Sequence, residues 1–324
     1  MKLLVKNRFT FNRSARCEFV SSSDGNYVLV QNDLRVLQLA DVAAQTVRRV
    51  GLLAKPLGFS SDNREFFFCD ANGDADPMLG VGSMEDFSTK CMHAKGRVVA
   101  MQLGEKEARV VVRDGSNVVT AYTYDRTGWT GFNRKKDWQQ TGCLNLGEVI
   151  TDSFKFAHAN ILYPTGDGQL VIANTQSAKI TPVPDAFDFG YGDSHAISPD
   201  GKRVAWCANQ HFYEWDGVRT AALHNSYEDT AGNRRLRVET VPNDTSSQVA
   251  YRGPYLQTQH HVDNDRRLLL QLWKAGACVA KTKMDCHAWP VVHSSAGFVA
   301  PTETQLEVWA VTVQPSQPMP AFEF

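Results

Sequence analysis

Short apolar runs separated by turn-forming residues recur along the whole chain. Tyr27–Val30, Phe66–Cys69, Leu170–Ala173 and Leu268–Leu272 are examples, and each follows a cluster of Ser, Asp, Asn or Gly. Runs of this length that are bounded by turn residues predict β-strands. No 11-residue window shows sustained apolar spacing of three and four residues, so we expect few helices. The pattern therefore predicts an all-β protein.

The turn clusters recur at a regular interval. The last residue of each cluster falls at positions 25, 63, 96, 168, 201, 265 and 297. Four of the six intervals are close to the length of one four-stranded unit, and the other two are about twice as long. Each long interval is either two units or one unit that carries an insertion. We favour seven units with two insertions, and eight units is the alternative.

The stretch Asp193–Thr220 is the best-formed repeat. Its turn, Ser198-Pro199-Asp200-Gly201, has Pro to preset φ and Gly to supply positive φ. A predicted strand with His195 precedes this turn, the apolar run Val204–Cys207 follows it, and Trp215-Asp216 ends a later strand. This arrangement resembles the repeat of WD40-like and TolB-like β-propellers. In those repeats a Ser-Pro-Asp-Gly turn precedes an apolar strand and a Trp-Asp pair closes a later one.

The resemblance implies a single β-propeller domain over residues 1–324, with seven four-stranded blades as the favoured count. Each blade has two apolar faces, and radial stacking buries them against the neighbouring blades. Closure of such a ring normally completes one blade with both chain ends. We therefore expect Leu3–Val5 or Phe9–Phe11 to form the outer strand of the final blade, beside Leu306–Val311. The Pro-containing tail 314–324 is expected to be extended.

Composition narrows the function classes. The formal net charge is −1, which gives no global attraction to nucleic acid or to an anionic membrane. No stretch approaches the ~18 apolar residues of a membrane span, and the apolar run at the N terminus is too short for a signal peptide. We expect a cytoplasmic protein without a membrane partner. Seven scattered cysteines without a CxxC pair indicate buried free thiols rather than disulfides.

Two sets of residues could bind metal ions. Five histidines precede turn clusters: His93, His158, His195, His261 and His293. The resemblance places the entering strands along a central channel, where converging imidazoles could bind a transition metal. Their distances from the turns differ, so we favour a structural role for these histidines.

The second set is Asp70–Asp76, in which side-chain oxygens alternate as they do in calcium loops. Met78 and Val81 occupy the positions at which two such loop types require a carboxylate. A β-turn is therefore the favoured interpretation, and no cofactor is expected.

Catalytic motifs are mostly missing from the sequence. It contains no GxSxG, HExxH or GxxxxGK[ST] pattern, so we name no catalytic residue. Some propeller enzymes use carboxylates at the channel mouth, so a hydrolase or lyase is the alternative function.

Two insertions, near 125–148 and 224–247, combine aromatic and basic residues. They contain the candidate partner-binding residues Trp129, Phe132, Arg134, Lys135, Lys136, Trp138, Arg234, Arg235 and Arg237. Aromatic residues and Arg are enriched in binding hot spots. Burying the tryptophans would also bury the neighbouring cations, so we expect the first insertion to project outward with at least one aromatic exposed.

The leading function is a non-catalytic scaffold that binds protein partners through its top face and the two insertions. The divergent repeats also resemble the degenerate propellers of bacterial multi-protein systems, including defence and ATPase-linked assemblies. The resemblance thus implies a subunit or accessory protein of a larger complex. Because aromatic and basic residues also suit nucleic-acid backbones and bases, a nucleic-acid-associated propeller is a second alternative.

Overall fold

The computed structural model describes residues 2–13, 17–70, 78–126, 138–190, 194–208, 211–223, 227–228, 234–235, 248–262, 267–285, 292–294, 297–302 and 304–314. Every regular element within these residues is a β-strand. No helix of the described chain is long and apolar enough to cross a membrane.

The strands form seven four-stranded antiparallel sheets, which are the blades of a propeller. The first strand, β1 (Lys2–Asn12), belongs to the last blade. Blade 1 contains β2 (Glu18–Ser21), β3 (Tyr27–Gln31), β4 (Val36–Asp41) and β5 (Thr46–Leu52). Blade 2 contains β6 (Ala54–Phe59), β7 (Glu65–Asp70), β8 (Met78–Ser83) and β9 (Thr89–His93). Blade 3 contains β10 (Arg97–Leu103), β11 (Glu107–Arg113), β12 (Val118–Asp125) and β13 (Gln139–Glu148).

The remaining blades follow the same order. Blade 4 contains β14 (Lys155–Ala157), β15 (Asn160–Pro164), β16 (Leu170–Asn174) and β17 (Lys179–Pro182). Blade 5 contains β18 (Ser194–Ile197), β19 (Val204–Ala208), β20 (His211–Trp215) and β21 (Thr220–Leu223). A two-stranded ribbon, β22 (Tyr227–Glu228) and β23 (Arg234–Arg235), comes before blade 6, which contains β24 (Gln248–Arg252), β25 (Tyr255–Val262), β26 (Arg267–Lys274) and β27 (Ala277–Asp285). Blade 7 contains β28 (Val292–His293), β29 (Gly297–Pro301), β30 (Gln305–Gln314) and β1.

The first strand of each blade is the inner one and lies beside the inner strands of its neighbours around the ring. We call the face at which these inner strands begin the top face, and the opposite one the bottom face. Seven apolar clusters lie in the sheets and between them, as the stacking of blades requires. Trp206, for example, is fully buried in a cluster that joins blades 4 and 5.

Blade 7 closes the ring as the sequence predicts. β1 pairs with β30, with Val5 opposite Val311 and Phe9 opposite Val308. Both apolar runs proposed for the outer strand belong to this one strand. A β-bulge between Asn7 and Phe9 separates them.

The Ser198–Gly201 turn shows why the sequence signal is strong here. The Ser198 hydroxyl donates to Asp200 Oδ1 at 2.5 Å and accepts from the Arg203 backbone N–H at 2.9 Å. Asp200 Oδ1 also accepts from the Lys202 backbone N–H, and Gly201 has φ 71°. The turns Ser22–Gly25 and Ser60–Asn63 repeat these hydrogen bonds. Each turn thereby satisfies backbone donors at the bottom face.

The prediction of seven blades is confirmed, but the turn clusters that led to it are not equivalent. Those at positions 25, 63, 201 and 297 mark the connection from the first to the second strand of a blade. The cluster at 96 precedes the inner strand β10, and those at 168 and 265 fall between second and third strands. In blades 3, 4 and 6 the equivalent connections are different sequences, such as Gly104–Lys106.

Candidate functional site

A cavity of about 630 Å³ opens between the inner strands of blades 1 to 4. Its wall is apolar along much of its length, with Phe19, Leu57, Val99, Phe154 and Phe156 among the residues that form it. Charged residues gather where the inner strands begin, which is the top end of the channel. They are Glu18, Lys55, Arg97, Asp152 and Lys155.

Both carboxylates of this wall are engaged by cations. Lys55 Nζ lies 2.8 Å from Glu18 Oε2, so this ion pair joins blades 2 and 1. Asp152 Oδ1 accepts hydrogen bonds from Arg113 Nη2 at 2.5 Å and from Arg113 Nε at 3.2 Å. Arg97 Nη2 lies 3.9 Å from Asp152 Oδ2. The two carboxylates therefore have partners and do not form an acid–base pair with each other.

Lys155 differs from the other cations of the cavity. Its ammonium group forms no ion pair or hydrogen bond with another described residue, although the side chain is accessible to solvent at the cavity surface. The walls of the channel surround its side chain, and desolvation by these walls lowers the pKa of the Lys155 amine. The wall therefore contains one ammonium group without a counter-charge.

His195 lies fully buried in blade 5, close to the same loop. Its Nε2 is 3.0 Å from the Ser153 carbonyl oxygen. Burial lowers the pKa of His195 to about 3, with a further contribution from the charge of Lys155. The ring is therefore neutral, and Nε2 carries the proton that it donates to Ser153. This hydrogen bond links blades 4 and 5 and is structural, as the sequence suggested for the histidines.

A second cavity of about 680 Å³ lies on the top face between blades 3 and 4. Arg113, Asn117, Glu148, Gly166 and Gly190 are among the residues that line it. The Arg113–Asp152 ion pair separates this groove from the channel mouth, since Arg113 lines one cavity and Asp152 the other. Together the two cavities form a polar depression across the top of blades 1 to 4.

Two exposed leucines lie on the top face of blade 1. Leu34 is 78% exposed in the turn between β3 and β4, and Leu53 is 52% exposed just before β6. A backbone hydrogen bond of 3.1 Å from Ala54 to the Arg35 carbonyl oxygen holds the two segments together. Leu53 also adopts a left-handed conformation, with φ 53°. The hydrogen bond thus holds together two top-face segments that each expose a leucine.

The candidate residues of the two insertions have different outcomes. Trp129, Phe132, Arg134, Lys135, Lys136 and Arg237 lie outside the described residues. Arg234 and Arg235 form β23, where they pair with Glu228 and Tyr227 of β22. Residues 139–148 are not part of a loop, because they form β13, the outer strand of blade 3.

Trp129 and Phe132 lie outside the described residues, so the expectation of at least one exposed aromatic stays a prediction, but Trp138 is buried. Its side chain is 8% exposed and packs in the cluster between blades 2 and 3, with its ring centroid 6.0 Å from that of Tyr124. The nearby Arg126 is also buried, and its charge is paired with that of Glu65. The Arg126 guanidinium also lies 5.6 Å from the Trp138 ring centroid, within the range of a cation–π contact.

The described ends of the two insertions lie at opposite faces of the ring. Asp125 and Gln139, which flank the first, pair at the bottom end of blade 3. Leu223 and Gln248, which flank the second, lie at the top face, where β21 ends and β24 begins. Since the two segments leave the ring at opposite faces, their described ends do not form one surface.

The five histidines occupy different places in the blades. His93 ends the outer strand β9, His158 lies in a bottom turn, and His261 belongs to the second strand β25. Only His195 and His293 belong to inner strands. Among the described residues no three His, Cys, Asp or Glu side chains are grouped to hold a metal ion. Residues 71–77 of the candidate calcium loop lie outside the described residues.

Six cysteines are described, and all have free thiols. Cys69 and Cys207 are buried as predicted, and burial raises the pKa of Cys69 to about 11. Cys91, Cys143 and Cys278 are exposed, because they lie on outer strands of their blades. The prediction of buried thiols was therefore wrong for these three.

Sequence reasoning missed the charged channel mouth. The available signal was a charged residue within the first two positions of four successive inner strands: Glu18, Lys55, Arg97 and Lys155. This pattern can be recognised only when the start of each inner strand is known. The turn cluster at position 96 led to a wrong assignment of the inner strand β10.

No protein-family model matches the chain, and no curated protein matches it in sequence. Solved structures resemble it in fold. One is the β-propeller domain of Cps50 (Swd1) from Myceliophteria thermophila, with a TM-score of 0.59 and 11% identity over 94% of this chain and 98% of that one. Another is a chain of a mitotic checkpoint complex, with a TM-score of 0.63 and 12% identity over 94% of both chains. At such identities the likeness concerns the fold alone, and it agrees with the seven-bladed β-propeller that the strands form.

Proposed function

We propose that this propeller is a non-catalytic scaffold that binds a protein partner on the top face of blades 1 to 4, as a subunit or accessory protein of a larger complex. The exposed pair Leu34 and Leu53, beside the mouth of the channel, carries the proposal. A propeller core buries its large aliphatic side chains between blades, so exposed leucines on one face favour a contact surface.

Two further features support a protein partner. The depression beside the leucines offers both apolar walls and ion pairs, which suits the apolar centre and polar rim of a protein interface. One of the similar propellers was solved as part of a mitotic checkpoint complex, so such a ring can serve as a subunit. The ion-paired state of Glu18 and Asp152 gives a hydrolase or lyase at the channel mouth no support.

The proposal is tested by affinity capture from an extract of the native host, with the full-length protein as bait. The double variant Leu34→Glu with Leu53→Glu is compared with the wild type and with Val218→Glu. Val218 is 90% exposed in a bottom turn of blade 5, so the control adds a charge at an exposed apolar position on the opposite face. We expect the same partner with the wild type and Val218→Glu, and loss of that partner with the double variant. Equal capture by all three proteins would contradict the proposed surface.

The residues of the two insertions remain a separate prediction. Trp129, Phe132 and the cations at 134–136 are proposed to add further contacts to the partner. Charge reversal at 134–136 should then weaken partner binding independently of the leucine variant. Binding of nucleic acid to this protein that weakens steeply as the salt concentration rises would instead support the nucleic-acid alternative.

A further inference from the structure

Lys155 is the cation of the channel mouth that the protein itself does not neutralise. Lys55 pairs with Glu18, while Arg97 and Arg113 share Asp152. Lys155 begins β14, lines the same cavity, and has neither a carboxylate nor a carbonyl oxygen as a partner among the described residues. An ammonium group that lines a largely apolar cavity without a counter-charge attracts an incoming anion.

The surroundings of Lys155 specify what kind of group can enter. Phe154 and Phe156 flank it in the chain, and Val99 and Leu57 belong to the same cavity wall. The volume of about 630 Å³ is in the range of small-molecule and side-chain binding pockets. A ligand for this cavity therefore combines one negative group with apolar groups around it.

We propose that the channel mouth binds an acidic side chain, Asp or Glu, from an extended segment of a protein partner, and that Lys155 is its counter-charge. This inference rests on the proposed function, because it names the chemistry of the partner that docks on the top face. The acidic side chain enters the channel beside Lys155, and neighbouring apolar side chains of the segment contact the walls. The leucines of blade 1 contact the same partner outside the channel.

The apolar wall favours a carboxylate over a phosphate group. Lys155 has no carboxylate partner among the described residues, and Arg97 and Arg113 share the single carboxylate of Asp152, so the mouth has more cations than carboxylates. A phosphate group, with nearly two negative charges, would lose more hydration in this wall than a singly charged carboxylate does. A nucleic-acid strand requires a row of unpaired cations along its backbone, whereas the other cations here are already paired.

The test uses a random heptapeptide display library selected against the full-length protein. We expect wild-type selections to enrich Asp or Glu at one position between apolar residues. Lys155→Gln should abolish that enrichment, and Lys155→Glu should replace it with Lys or Arg. Lys106→Gln is the control, because Lys106 is an exposed lysine in a bottom turn and the substitution removes the same charge. It should enrich the same peptides as the wild type.

The best peptide is then labelled and its affinity measured by fluorescence anisotropy. Replacing its acidic residue by the matching amide should weaken binding to the wild type by about tenfold or more, as expected for a lost charge-assisted hydrogen bond. The same replacement should have no effect on binding to Lys155→Gln. Inorganic phosphate is added as a competitor, and it should displace the peptide only weakly. Thermal unfolding of each variant confirms that it is folded.

Several results would overturn the inference. These are a library that enriches nothing, acidic peptides that survive Lys155→Gln, or displacement by phosphate at concentrations below those of the peptide. The proposed function fails separately. If Lys155→Gln binds the captured partner as the wild type does while the leucine variant loses it, the docking surface stands and the carboxylate site is wrong. If binding of acidic peptides depends on Lys155 but the leucine variant captures the partner as the wild type does, the carboxylate site stands and the docking surface is wrong.

Discussion

Both carboxylate oxygens of Glu65 accept hydrogen bonds from Arg126 Nη2, at 2.7 and 2.6 Å. Glu65 begins β7 in blade 2, whereas Arg126 follows β12 in blade 3, so the pair joins neighbouring blades at the bottom face. Arg126 Nη1 also donates to the Gly104 carbonyl oxygen at 3.0 Å. The Arg126 side chain is 5% exposed, which makes this a buried ionic contact.

We predict that Arg126→Ala lowers the free energy of unfolding by about 3 kcal/mol, because it leaves the Glu65 carboxylate without its cation in a partly buried place. Urea unfolding followed by tryptophan fluorescence measures the change. Arg64→Ala is the control, since Arg64 is largely exposed and lies 3.9 Å from its partner Asp62. Its effect should stay within about 0.5 kcal/mol. Equal effects of the two substitutions would contradict the importance of the buried pair.

Trp138→Ala should also destabilise the protein, by about 3 kcal/mol, because it removes a buried indole from the cluster between blades 2 and 3. The matched control is Phe187→Ala, which truncates an exposed aromatic residue at the top of blade 4. That substitution should change the free energy of unfolding by less than about 0.5 kcal/mol. If Trp138→Ala is as harmless as the control, the indole is not part of the core.

The fold could be predicted because its signals are local. A Ser-x-Asp-Gly turn such as Ser198–Gly201 satisfies its own donors through side chains two or five residues away, and this chemistry is visible in the sequence. The closing strand was visible because Val5 and Phe9 belong to apolar runs that had no other partner. The positions of individual turns were less certain, since the same residue types also form connections between second and third strands.

The channel mouth could not be predicted because its chemistry comes from residues far apart in the chain. Lys55 and Glu18 meet across two blades, and Arg113 reaches Asp152 from another strand. The missing partner of Lys155 could not be recognised either, because it depends on the positions of all the other charged side chains in the fold. The burial of Trp138 beside Arg126 was equally hidden in the sequence, since the partner that neutralises Arg126 is Glu65, in another blade.

Asp200→Ala should lower the free energy of unfolding by roughly 1–3 kcal/mol, because it removes the acceptor for the Ser198 hydroxyl and the Lys202 backbone N–H. Differential scanning calorimetry measures the loss. Glu105→Ala is a suitable control, since Glu105 is an exposed carboxylate in the bottom turn between β10 and β11. An unchanged melting temperature for Asp200→Ala would show that the side-chain network of the turn adds nothing to stability.

Gly297→Ala should be strongly destabilising, by about 3 kcal/mol, because a Cβ at this position would lie 1.7 Å from the Trp309 carbonyl oxygen. Gly297 pairs with Ala310 in the blade that closes the ring, so the backbone cannot move apart without opening that blade. Gly115→Ala is the control, as a Cβ there would meet nothing within 4 Å. It should be neutral or slightly stabilising. Equal melting temperatures for the two variants would contradict the close approach of β29 and β30.

The stability of the ring should depend on pH through His195. Its pKa of about 3 in the folded protein lies below the ordinary value of 6.5, so the unfolded chain binds a proton first as the pH falls. The contribution of the neutral ring is complete above pH 6.5 and is lost progressively between pH 6.5 and pH 3. Between pH 7 and pH 5 the wild type should lose about 2 kcal/mol from this one group.

The variant His195→Gln isolates this effect, because glutamine can still donate a hydrogen bond to the Ser153 carbonyl oxygen but does not titrate. We expect it to be less stable than the wild type at pH 7 and to show a flatter dependence on pH down to pH 5. His158→Gln, at an exposed histidine in a bottom turn, should keep the wild-type dependence. Urea unfolding at half-unit pH intervals gives the three curves. Parallel curves for His195→Gln and the wild type would show that protonation of His195 does not destabilise the folded protein. The burial of this ring would then not set the acid limit of the propeller.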